Sequence, residues 1–422
     1  MTALALLLSV CLAAGPDRPV WTEADALAAF ERSSPALAEA RATEDAARAD
    51  VRQAGLVPNP TLGLGASNFP LQTNPIWGNG AGVRNNLVAS VELDQPFELG
   101  GKRAHRVAVA RGALAGATLS RADAVRTARA ELRLAFWAAV RARERRLLAE
   151  QVRARSTETV RIMRARFASQ DISALELDKI ELEAAQQENE LADAVASERA
   201  AVADLLKLVG PGAPAEVEVS GELASPAESL DPARLAGRAR EKRPDLAAAR
   251  RQVETSRAAV ALAEAQAVPD ITVGVGYTRS KALMSGDNPQ ALGFTVSVPL
   301  PVFSRNQGEI QKAHVEQRRA EDVARALEAN VAREVAAAHA RYVAAAEKVS
   351  RYHGGALARA ERALAVAEKT FRSGDRSLLE FLEAQRTFIA VRSDYLDTMY
   401  DLRATRLELE QAVGAELTTE GA

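Results

Sequence analysis

The chain has 422 residues, a net charge of −2 and a pI near 6.2, so no overall basic field favours nucleic acid. Aromatic residues make up only 4% while alanine, leucine, arginine and glutamate dominate. That mix suits long helices and coiled coils rather than a compact, aromatic-rich enzyme core.

At the N-terminus, residues 3–15 (ALALLLSVCLAAG) form an apolar run too short to span a bilayer as a helix and ending in small residues. They read as a signal-peptide core cleaved near Ala13 to Gly15, without the usual positive residues ahead of it. Cys11, the single cysteine, lies inside this run as one of its hydrophobes, with lipidation of that cysteine as the alternative. Beyond residue 15 no stretch of about 18 apolar residues occurs, so no transmembrane helix is expected. An exported chain without a helical anchor belongs in the periplasm, the medium or an outer-membrane β-barrel.

The pattern after the leader is written twice. Thr22 and Asp25, at capping-box spacing, open a helix expected to run to about Gly55; Asp231 and Pro232 open another expected to reach about Ala267. SSPALAEAR (33–41) and EKRPDLAAAR (241–250) mark the two, and each stops at a valine–proline pair, Val57-Pro58 and Val268-Pro269. The period then changes to two. PTLGLGAS (60–67) and NLVASVELDQP (86–96), then DITVGVGYT (270–278) and ALGFTVSVP (291–299), alternate as half-buried strands. Loops rich in Gly, Pro and Asn join each pair, so each half is expected to hold one β-hairpin with a long polar tip.

QPFELGGKR (95–103) and VPLPVFSRNQG (298–308) follow in register around Pro96 and Pro299. Helix is then expected to continue for about 65 residues in each half, roughly 100 Å at about 1.5 Å per residue. It ends at FASQDISALE (167–176) and at FRSGDRSLLE (371–380), two stretches 204 residues apart that share Phe, Ser, Asp, Ser, Leu and Glu. Ser173 with Glu176, and Ser377 with Glu380, have capping-box spacing, and Gln170 or Gly374 precedes them at a turn position. Each stretch therefore reads as the tip of a helical hairpin with a return helix of about 35 residues. In the last return helix Phe381, Phe388, Tyr395, Leu402 and Leu409 recur every seven residues, a left-handed coiled-coil seam rather than a cofactor box. The expected divisions are a signal peptide at 1–15, a first repeat at 16–208, a linker at 209–230 with EVEVS as a short strand, a second repeat at 231–415, and a tail at 416–422.

Strands of this length and alternation suit a lipid bilayer, with Leu87, Ala89, Val91 and Leu93 outward and Val88, Ser90 and Glu92 toward a lumen. Four strands cannot close a barrel, and an open sheet edge is not tolerated in hydrocarbon, so several chains would have to share one. The alternative on strand chemistry alone is a small soluble sheet capping a helical bundle.

LAEAR after Pro35, RPDLAAAR, QPFELGGKR, PLPVFSRNQGEI and the two tips, in this order from about Trp21 to Gly414, resemble the TolC-type outer membrane efflux proteins. QPFELGGKR and RNQGEI are most similar to the heavy-metal-efflux branch. The resemblance implies a mostly α fold with a small β part: long helical hairpins forming an α-barrel, and four strands per chain contributing to a trimeric 12-stranded transmembrane β-barrel. It implies a passive exit duct of a Gram-negative type cell, in the outer membrane and extending into the periplasm. A periplasmic adaptor (membrane fusion) protein and an inner-membrane, proton-driven pump of the RND type would be its partners. The tips would form the periplasmic aperture. Asp171, Glu176, Asp375 and Glu380 are then the candidate aperture residues, with Glu where the family often has Asp. Phe167, Ser173, Leu175, Phe371, Gly374, Ser377 and Leu379 match the tip motif that meets the adaptor.

Two readings of the tip carboxylates stay open. Glu176 and Glu380 either reach back to their own helix caps or form a selectivity ring, and Asp171 and Asp375 either line the aperture or are merely solvated. Facing a lumen in three copies, they would attract cations and repel anions. No resident metal or cofactor is expected: His105, His314, His339 and His353 lack i, i+4 or Cys-paired spacing, and the four methionines are scattered. Nor is catalysis. GGKR at 100–103 lacks the first glycine and final Ser/Thr of a phosphate loop, and no G-x-S-x-G or H-E-x-x-H occurs. A periplasmic adaptor, or a soluble coiled-coil scaffold, is the alternative to the duct.

Overall fold

The computed structural model describes residues 19–67, 87–223, 228–280, 289–373 and 377–417, with the His353 side chain outside that set. The leader with Cys11, both hairpin loops, Gly374, Asp375 and most of the tail lie outside it. Helices dominate. The described residues group into two compact units, one from residues 1–40, 122–243 and 330–422, the other from 41–121 and 244–329. Each unit takes segments from both halves of the chain.

Where one opening helix is expected in each half, two are present. α1 (Glu23–Ser33) gives way to α2 (Pro35–Ala54), and α5 (Pro232–Lys242) to α6 (Pro244–Gln266). The residue before each proline is extended, with ψ 125° at Ser34 and 119° at Arg243, because a proline ring excludes the helical conformation there. The Thr22–Asp25 capping box that starts α1 is present in both directions.

In the first unit the part of α3 (Lys102–Ala168) from residue 122 onward is followed, after a turn, by α4 (Ala174–Val209). In the second half of the chain α7 (Gln307–Arg351) is followed by α8 (Leu357–Arg372) and by α9 (Leu378–Val413). Leu132, Phe136, Val140, Leu205, Val335, Tyr342, Leu402 and Leu409 form the buried interior. Of the seven-residue seam, Phe381, Leu402 and Leu409 are buried and Phe388 and Tyr395 half-buried. EVEVS supplies β4 (Glu218–Val219), which pairs in parallel with β1 (Val20–Trp21).

The second long helix is not continuous. Between α7 and α8 lies a π-turn, Tyr352–Ala356, in which Gly355 takes φ 102°. A side chain at that φ would be strained, so the Gly354-Gly355 pair permits a break that α3 lacks.

In the second unit β2 (Thr61–Ser67), β3 (Val88–Phe97), β5 (Ile271–Ser280) and β6 (Gln290–Ser297) form one antiparallel sheet in the order β2-β3-β5-β6. The two hairpins expected from the sequence are thus joined through β3 and β5.

Candidate functional site

The first tip is built from local rules. α3 ends in a Schellman turn: the Asp171 amide donates to the Arg166 carbonyl (2.9 Å) and the Gln170 amide to that of Phe167 (3.0 Å). Gln170 takes the left-handed conformation usually given to glycine, φ 65°. α4 then starts at Ser173, whose hydroxyl accepts from the Glu176 amide (3.3 Å) while Glu176 Oε2 accepts from the Ser173 amide (2.9 Å). The Ser173 amide, and after it the Ser173 hydroxyl, hold the Glu176 carboxyl below its ordinary range. Asp171 is exposed and accepts a bond from the Ser169 hydroxyl (2.8 Å).

The second tip starts its return helix in the same way, with the Ser377 hydroxyl accepting from the Glu380 amide (3.4 Å). Gly374 and Asp375 lie outside the described residues. Glu380 is exposed.

The two tips share one apolar core. Val160 and Met163 of α3, Ile180 of α4, Leu364 and Phe371 of α8, and Leu378, Phe381 and Leu382 of α9 pack as a single cluster. Phe371 and Phe381 stack with centroids 5.1 Å apart and planes within 8°. Arg166 donates to the Phe371 carbonyl (3.4 Å), and Arg386 of α9 pairs with the buried Glu183 of α4 at 2.5 Å. The pairing of Met163, Ile180, Glu183 and Arg386 was not singled out from the sequence. Its one trace there is apolar spacing of three and seven residues in α3 and α8, which marks a packed face without naming its partner.

Matched positions in the two tips therefore differ. Phe167 is 41% exposed but Phe371 only 5%, so Phe371 packs inside the tip. Leu175 and Leu379 are both outward, at 62% and 72%, and Ser173 and Ser377 are exposed.

The sheet has a second arrangement to explain. Its register places Leu62, Leu64, Val91, Leu93, Val273, Val275, Tyr277, Leu292, Phe294 and Val296 on one face, every one of them exposed. The opposite face carries Gly63, Gly65, Gly274, Gly276, Gly293, Ser90, Glu92, Asp94 and several Thr and Ser. Each large apolar side chain left in water forgoes about 1.5–3 kcal/mol, so a face with this many needs an apolar covering. Among the described residues no strand pairs with either edge of the sheet, β2 or β6. Among the described residues no helix is long and apolar enough to cross a membrane, and no group of three or more His, Cys, Asp or Glu is placed to hold a metal ion.

The model of the outer membrane efflux protein family matches residues 27–211 and 235–415. The chain belongs to that family. It is an outer membrane efflux channel, an exit duct, and the adaptor or scaffold reading falls with that assignment. Among its relatives, the cobalt-zinc-cadmium resistance protein CzcC of Cupriavidus metallidurans is 28% identical over 378 residues, 88% of this chain and 84% of the relative. The nickel and cobalt resistance protein CnrC of the same organism is 28% identical over 306 residues, 72% of this chain and 69% of that protein. The crystal structure of the outer membrane protein VceC from Vibrio cholerae superimposes with a TM-score of 0.72 at 21% identity, covering 94% of this chain and 97% of that one. The efflux family fits the sheet: an apolar face for lipid and a small, polar face for a water-filled bore.

Proposed function

We propose that this outer membrane efflux protein is the exit duct of a tripartite system exporting divalent transition-metal cations. Three copies would close a 12-stranded barrel, and their long hairpins would form an α-barrel below it. The observation that carries this is the four-stranded sheet with one face of large exposed apolar side chains, an opposite face rich in Gly, Ser and Thr, and edges at β2 and β6 that no strand among the described residues pairs. Four strands are too few to enclose a lumen, and open edges are not tolerated in lipid, so copies must share the cylinder. The metal cargo is proposed from the resistance named for CzcC and CnrC. A duct of this kind passes its cargo without holding it, so no ligand cluster is required. In this reading the halves 16–208 and 231–415 are repeats joined by the linker 209–230, with a signal peptide at 1–15 and a tail at 416–422.

The tips are the periplasmic aperture and the docking end for a periplasmic adaptor, which couples the duct to an RND-type inner-membrane pump. Phe167, Leu175 and Leu379 offer outward apolar contacts beside the exposed Ser173 and Ser377, while Phe371 supports them from within, and Gly374 belongs to the motif by sequence alone. Asp171 and Glu380, both exposed, would line the aperture, Asp375 is assigned to it only by its match to Asp171 in the sequence, and Glu176 serves first as a cap. Deleting the gene and exposing the strain to cobalt, zinc, cadmium and nickel beside an antibiotic panel tests the cargo. We expect at least a several-fold drop in tolerated metal, restored by the intact gene. Sensitisation to antibiotics alone would replace the cargo assignment.

A further inference from the structure

The two connectors that lead from sheet to long helix are built alike at the back and differently at the front. At the back, Arg103 and Arg106 donate to the Gly55, Ala54 and Leu56 carbonyls at the end of α2, at 2.7, 2.9 and 3.0 Å. Asn306 does the corresponding work near the end of α6, donating to the Ala263 carbonyl at 2.8 Å. At the front, the first connector closes onto the chain just ahead of β5. The Leu99 amide donates to Asp270 Oδ1 (3.0 Å), Lys102 Nζ pairs with the same oxygen (2.7 Å), and Gly100 lies so close to Val268 that a Cβ would come within 2.9 Å. β5 is the strand beside β3, from which that connector departs.

The second connector departs from β6. By the same succession it should close onto the chain ahead of the strand beside β6, and among the described residues there is none, because β6 is an edge. Its apolar residues stand free, Leu300 at 79%, Val302 at 64% and Phe303 at 92% exposure. The opposite edge is β2, and the chain ahead of it is free as well, with Leu56 at 57% and Val57 at 62%. Val57-Pro58 stands before β2 as Val268-Pro269 stands before β5.

We infer that Leu300, Val302 and Phe303 seat on Leu56 and Val57 of a second copy of this chain and form the seal between adjacent protomers. The inference rests on the shared-barrel reading above and adds to it the residues that carry the seam. One chain cannot bring these surfaces together itself, since that would roll four strands into a barrel with no room inside for side chains. A second copy can. β6 of one copy and β2 of the next run antiparallel, and Leu292, Phe294 and Val296 lie on the same sheet face as Leu62 and Leu64, so an apolar-to-apolar register is preserved across the seam. The occupant is thus fixed by strand direction, face and position at once.

The test uses the full chain in outer membranes, in a Cys11→Ser background. Val57→Cys combined with Phe303→Cys should give oxidation-dependent covalent dimers and trimers on denaturing gels, reversed by reductant and absent from either single variant. Phe303→Asp provides a second measurement. Its side chain is almost wholly exposed in the protomer, so the variant should keep its helical circular dichroism while the assembled fraction in detergent falls at least ten-fold. Normal trimers that neither cross-link at these positions nor respond to Phe303→Asp would overturn the seam alone. An unsubstituted chain that stays monomeric in membranes and detergent would overturn the shared-barrel reading, and the seam with it.

Discussion

The two hairpin tips carry the same ten-residue pattern and put it to different uses. In the first, an unbroken α3 runs into a Schellman turn and Phe167 faces outward. In the second, the incoming helix is interrupted at Tyr352–Ala356, and the matching Phe371 faces inward to stack on Phe381. Repeated sequence thus specifies the helix start, which depends on a bond over three residues. Which phenylalanine is core is decided by the neighbouring hairpin. The second tip inserts its aromatic into a core to which the first contributes Met163 and Ile180, so the pair behaves as one packed body.

The largest effect should come from removing that asymmetry. Phe371→Ala deletes a buried ring from the shared core and is expected to cost about 3–5 kcal/mol, as large-to-small core changes do. Phe167→Ala, at the matching but exposed position, should stay within about 0.5 kcal/mol. Chemical unfolding in detergent, monitored by circular dichroism, separates them. Equal costs at the two positions would mean that the tips are interchangeable and that the shared core contributes nothing particular to the second.

How much of this was legible in the residues follows from the range of the forces. The caps at Thr22, Ser173, Asp231 and Ser377 are local, and each appears at the predicted residue. The four strands appear within about three residues of their alternating segments, because period-two patterning states which face is apolar. It does not state which strand lies alongside which, so the β3–β5 pairing was not readable. The break at Gly354-Gly355 was visible as a glycine pair but is outweighed in any pattern count by the long helical residues around it. Pro35 and Pro244 split their helices for a reason equally plain in the sequence, though a Pro at the first helical position serves to start a helix as readily as to stop one. The tip core and the Glu183–Arg386 pair needed coordinates, since residues some 200 positions apart meet there.

A smaller effect sharpens the comparison at the caps. Ser173→Ala removes one acceptor for the Glu176 amide and is expected to cost about 1 kcal/mol, and Ser377→Ala about the same. The first cap also depends on pH. The Glu176 carboxylate is favoured in the folded chain by the Ser173 amide and hydroxyl, so its pKa is lower folded than unfolded. The stability it adds is present above the unfolded value, about 4.3, and is lost as pH falls through the folded one. Thermal unfolding of Glu176→Gln beside the parent should therefore show a gap at pH 7 that narrows below about pH 4. A gap that widens on acidification would remove Glu176 from the cap.

The smallest effect bears on the one residue that departs from ordinary turn chemistry. Gln170 sits at φ 65°, where a Cβ crowds the following carbonyl at a cost of about 1–2 kcal/mol. The corresponding residue of the second tip is Gly374. Gln170→Gly relieves that strain but enlarges the freedom of the unfolded chain, which costs about 0.4–1 kcal/mol in return. The net is a gain of about 0.5 kcal/mol, opposite in sign to every other change at the tip. Gln170→Ala keeps the Cβ and should give no such gain, so the pair of variants isolates the backbone. If both stabilise equally, the Gln170 side chain and not its conformation is what the turn tolerates poorly. If glycine destabilises, the left-handed turn of the first tip is held by contacts stronger than the two Schellman bonds that now account for it.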